Sequence, residues 1–72
     1  MPRYAIAFHN QGVEFIHKIV EMDSEEAALR FFFQTYVSSG YTSDEEGYVY
    51  FREDFHDVDD PLGGIVEIKP ES

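Results

Sequence analysis

Residues Tyr48 to Glu53 read YVYFRE, and whether they form a strand or a helix sets the number of strands and helices in the domain. Tyr48 and Tyr50 alternate with Val49 and Phe51, a period of two that suits a pleated strand with aromatic groups on each face. Read this way the run is the third strand of the chain. The flanking segments then take their places around it.

Upstream, RYAIAFHNQGVEFIHKIVEMD reads as a β-hairpin. Tyr4, Ile6 and Phe8 alternate with Ala5, Ala7 and His9. After NQG a β-rich run resumes, and Gly12 can supply the positive φ of a tight turn. The second strand is expected to outlast the first. In it Val13, Phe15, His17 and Ile19 share one face, and Glu14, Ile16, Lys18 and Val20 share the other, so neither face is cleanly polar. A short turn sets His9 opposite residues near Val13, too far from His17 for the two to share a metal.

Between hairpin and third strand lies the clearest helix signal. Asp23 and Glu26 have capping-box spacing, Ser24 offers an alternative cap, and Glu25 and Glu26 suit the positive end of the helix dipole. The helix is expected from Ser24 to Ser38, with Gly40 as its stop. Glu26, Arg30 and Gln34 form its polar stripe, while Ala28, Leu29, Phe31, Phe32 and Tyr36 face the sheet. Phe33 and Val37 are left over. Downstream, GIVEIK from Gly64 is a fourth strand that Pro70 closes.

The expected architecture is therefore α+β, in the order β-β-α-β-β: a four-stranded, mainly antiparallel sheet with one helix on one face, all within a single domain spanning 1–72. Such a layout leaves one sheet face open although the strands offer apolar residues to both sides. A partner or a second copy would cover it.

Composition narrows the function classes. The 72 residues are 43% hydrophobic and 17% aromatic, which marks a folding chain, and a domain this small buries only about 60% of its unfolded surface. There is no cysteine, so disulfides, thiolate nucleophiles and cysteine zinc sites are excluded. The N-terminal residues carry no signal-like apolar run and no stretch is long enough to span a bilayer, so the expected location is cytoplasmic. Fifteen acidic against five basic residues give a formal charge of -10, which opposes direct contact with nucleic acid or anionic membrane. Cationic partners are favoured instead.

The acids concentrate in REDFHDVDDP, Arg52 to Pro61. Glu53, Asp54, His56, Asp57, Asp59 and Asp60 are weak metal candidates, since hard cations take oxygen ligands and several transition metals take imidazole. A calcium loop starting at Asp57 fails: Pro61 falls at position five, Leu62 replaces the glycine at six, and Ile68 replaces the glutamate at twelve. The bland reading is a solvated connection in which Asp59 and Asp60 precede Pro61 as turn residues. No serine sits in a nucleophile elbow, PLGG lacks the lysine of a phosphate loop, and no cofactor is implied.

These observations favour a non-enzymatic protein-protein interaction module that self-associates, with Phe33, Val37, Tyr48 and Tyr50 as its contact residues. An acidic mimic of nucleic acid, seated in the basic cleft of a DNA- or RNA-processing protein, is the alternative from another class. A weak divalent-cation-binding protein is the third.

Overall fold

The computed structural model describes residues 1–10, 14–37 and 40–69. Strands β1 (Arg3–Asn10) and β2 (Glu14–Glu21) are followed by helices α1 (Glu25–Tyr36) and α2 (Glu45–Phe55) and by strand β3 (Gly63–Ile68). The sheet has the order β2-β1-β3, with β1 in the centre and antiparallel to both neighbours. The class is α+β as expected, but the count is three strands and two helices. The stretch YVYFRE is helical.

The correction has a local cause. Asp44 is the N-cap of α2, its side chain accepting from the Gly47 backbone N–H at 2.9 Å and from the Thr42 hydroxyl at 2.6 Å. Glu45 and Glu46 then sit in the first turn and Arg52 in the last, each suited to the dipole at its end. From that start Tyr48, Phe51 and Phe55 recur at helical spacing on the buried side. Tyr50 points outward. Gly47 lies so close to Thr42 that a Cβ would meet its backbone carbonyl, which explains a glycine inside the helix.

The second helix also explains the apolar residues left over on the first. Phe33 packs on Tyr48 and Phe51, with ring centroids at 5.5 Å and 5.0 Å. Phe33 and Val37, which the sequence offered for an external partner, are 2% and 6% exposed. Their partner is the same chain. Helix α1 begins from Ser24, whose hydroxyl accepts from the Ala27 N–H at 3.1 Å, and not from the Asp23 box. It ends at Tyr36, Gly40 follows with a positive φ of 89°, and the expected extension to Ser38 lies outside the described residues, as does the Gly12 turn.

Among the described residues strands β1 and β2 are each eight residues long, and the expected start of the second at Val13 lies outside them. Their register pairs Tyr4 with Val20, Ile6 with Lys18 and Phe8 with Ile16. These residues share the face that both helices cover. Tyr4, Ile6, Phe8 and Val20 are buried there, and the rings of Phe8 and Phe51 meet at 5.0 Å. Gly63 admits the Phe55 ring against the sheet at this face.

Polar contacts tie the helices together at the rim. Arg30 of α1 pairs with Glu45 of α2 at 2.7 Å and places its guanidinium 4.2 Å from the centre of the Tyr48 ring. The Tyr48 hydroxyl donates to Glu26 at 3.1 Å, and burial followed by the Glu26 charge pushes its pKa up to about 12. Tyr41 donates to Asp54 at 2.6 Å, and burial followed by that bond raises its pKa well above the usual tyrosine range.

The cap predicts an acid limb. The Thr42 and Gly47 bonds hold the Asp44 carboxyl below the usual aspartate range. Because the folded value is depressed, the stability this group contributes is present above the unfolded pKa of about 4 and is lost as pH falls through the folded value. Asp44→Ala is expected to lower the urea midpoint at neutral pH, and the gap to the parent chain is expected to narrow as pH falls through the folded value. Parallel urea curves of parent and variant across that range, with no narrowing, would refute the cap's role.

Candidate interaction face

Strand alternation decides what the helices leave uncovered. With Tyr4, Ile6 and Phe8 turned inward, Arg3, Ala5, Ala7 and His9 of β1 turn to the opposite, outer face. The register places them in rungs. Glu21, Arg3 and Ile68 form the first, Ile19, Ala5 and Val66 the second, and His17, Ala7 and Gly64 the third. His9 stands opposite Phe15 at the hairpin end.

The relief follows from residue size. Ala5 and Ala7 run along the centre of the face, and a Cβ at Gly64 would meet nothing within 4 Å. Ile19 and Phe15 rise on one flank and Val66 on the other, so the outer face is a shallow apolar trough along β1. These three are 58%, 67% and 61% exposed. Scattered single apolar residues would need no explanation, but Ile19 and Val66 share a rung across Ala5, and Phe15 stands on the same face beyond the exposed His17.

Its electrostatics differ from the rest of the molecule. Among the described side chains of this face Glu21 is the one carboxylate, and it stands directly opposite Arg3. Elsewhere acids crowd the helices and loops. Asp44 to Asp60 alone contains eight acidic residues.

His9 and His17 lie nearer one another than the sequence suggested. His9 pairs with Phe15 and His17 with Ala7, which makes the two histidines diagonal neighbours on adjacent strands. Both are exposed.

The segment REDFHDVDDP divides between a helix end and a turn. Arg52 to Phe55 close α2 and His56 is its C-cap, its backbone N–H donating to the Arg52 carbonyl. Asp57 then accepts from the backbone N–H groups of Asp59 and Asp60 at 2.8 and 3.1 Å, which reverses the chain toward β3 and holds its carboxyl below the usual range. Asp54 takes the Tyr41 hydroxyl, while Glu53 lines a groove of about 500 Å³ on the outer side of α2 with Val49, Arg52 and His56. Among the described residues no three histidine, aspartate or glutamate side chains are arranged to hold a metal ion.

Of the contact residues read from the sequence, Phe33, Val37 and Tyr48 belong to the core and only Tyr50, 55% exposed, reaches the surface. Phe15, Ile19 and Val66 are the large, strongly exposed apolar groups on the outer face of the sheet. Their signal was the second apolar face of β2, which the sequence showed without saying whether a helix covered it. No described helix is long and apolar enough to cross a membrane. Compared with protein-family models, with curated proteins and with solved structures, the chain matches none at a significant level.

Proposed function

We propose that the chain is a non-enzymatic interaction domain that takes a protein partner on the outer face of its sheet. The observation that carries this reading is the uncovered trough bounded by Phe15, Ile19 and Val66. An apolar surface of this kind in a molecule of charge -10 is suited to a polypeptide and ill suited to phosphate backbones or anionic lipid. A cysteine-free domain needs no oxidising compartment, and the cytoplasm is the location this reading assigns.

The acidic-mimic reading draws on a different surface. Segregation of the carboxylates to the helical layer supports it, since a basic cleft would dock there and leave the sheet face free. The two readings separate by position.

A photo-crosslinking residue placed at 64 tests the first, because that site is open and faces the trough. Capture of a discrete polypeptide in the native host from position 64, absent from a probe at Glu53 on α2 and lost with Ile19→Asp, is the expected result. Capture from position 53 alone would transfer the role to the acidic layer. No specific product from either position would sink the interaction reading.

A further inference from the structure

We infer that the occupant of the trough is a second copy of this chain, its sheet laid face to face on the first about a two-fold axis. The inference rests on the interaction reading above and specifies its partner. Charge is the first argument. Two molecules of charge -10 repel through almost any approach, but the outer sheet face offers a single carboxylate beside an arginine. Packed sheets stand about 10 Å apart and each carries its helices a further 10 Å out, so the acidic layers end about 30 Å from one another, beyond a Debye length of about 8 Å. A basic partner would instead be drawn to the helical layer.

Shape is the second. A trough of alanine and glycine between ridges of Ile19 and Val66 is self-complementary, because a two-fold operation can lay each copy's ridge along the other's trough. Area sets the strength. Three strands at about 4.8 Å spacing and the six paired positions of the β1–β3 ladder at about 3.3 Å give a projected footprint of about 300 Å² per copy, small beside an interface that buries roughly 800 Å² of accessible surface per partner. The dimer is therefore weak and forms by concentration.

Sedimentation of the intact chain from about 10 µM to about 1 mM, the range where so small a contact associates, provides the test. The weight-average mass is expected to rise toward that of a dimer, and added salt is expected to leave the association intact or strengthen it. Val66→Asp, on an exposed position of an edge strand, should weaken it at least tenfold with the thermal unfolding profile unchanged. Ile19→Asp provides the same test from the other flank, and Glu53→Lys on the far layer should not affect it.

A monomer throughout that range overturns the inference, as does a dimer that both aspartate variants leave intact or that salt dissolves. Were the probe at 64 to capture a different polypeptide while sedimentation finds monomers, the second copy would fail and the interaction reading would stand. Failure in both experiments removes both.

Discussion

Phe51→Ala is expected to remove about half of the domain's stability at 25 °C, about 3–5 kcal/mol. The Phe51 ring stands within 5.0 to 6.4 Å, centre to centre, of Phe8, Phe33, Phe55, Tyr41, Tyr48 and Phe32, and so joins β1 to both helices. It is fully buried. Truncating such a phenylalanine costs about 3–5 kcal/mol, while a 72-residue domain has roughly 4–11 kcal/mol in total. A urea midpoint lowered to roughly half that of the parent chain is the expected observation. A loss below about 1 kcal/mol would show that the ring is not the hub of the core.

The same helix supplies an internal control. Were residues 48–53 a strand, Tyr48 and Tyr50 would share a face and respond alike to truncation. In the helix they do not. Tyr48 is 2% exposed and Tyr50 is 55% exposed, so Tyr48→Ala should lower stability far more than Tyr50→Ala.

The second large effect is a reversal of sign between adjacent glycines. A Cβ at Gly63 would overlap the Phe55 ring and approach the Ala7 carbonyl oxygen to 2.6 Å, and the central strand behind that oxygen has little freedom to yield. Gly63→Ala is therefore expected to cost about 1–3 kcal/mol or more as overpacking. Gly64 faces open space. There Gly64→Ala should be neutral or stabilise by up to about 1 kcal/mol, because alanine loses less backbone entropy in a strand. Equal urea midpoints for the two variants would contradict the assignment of β3's faces.

How much of this was legible in the sequence depends on window length. Over the four residues Tyr48 to Phe51 a two-residue and a helical period fit equally well. Only the longer frame separates them, because Asp44 caps, Gly47 receives the cap, and Tyr48, Phe51 and Phe55 repeat at three and four. Phe33 and Val37 carried the same information in another form. A helix with a second apolar stripe was asking for a neighbour, and sequence alone could not say whether that neighbour lay inside or outside the chain.

The hairpin was read more fully, since alternation divides Ile16, Lys18 and Val20 from Phe15, His17 and Ile19 without knowledge of the rest. Which of those faces the helices would choose was not legible. That choice depends on β3 and α2 arriving on one side. The acids of Glu53 to Asp60 looked like a possible ligand set because spacing does not reveal what each carboxylate already accepts. Asp54 and Asp57 are occupied by Tyr41 and by the turn itself.

The central place of β1 bears on how quickly the domain can form. Arg3 is paired with both Glu21 and Ile68, so one strand must be completed by a near neighbour and by a segment whose pairing begins 65 positions away in the chain. The hairpin can close early across a short loop, whereas the β1–β3 ladder requires closure of nearly the whole chain before its contacts reward it. The rate of folding is then governed by the search of β3 for its place, and until it arrives the free edge of β1 is the surface on which misassembly would start.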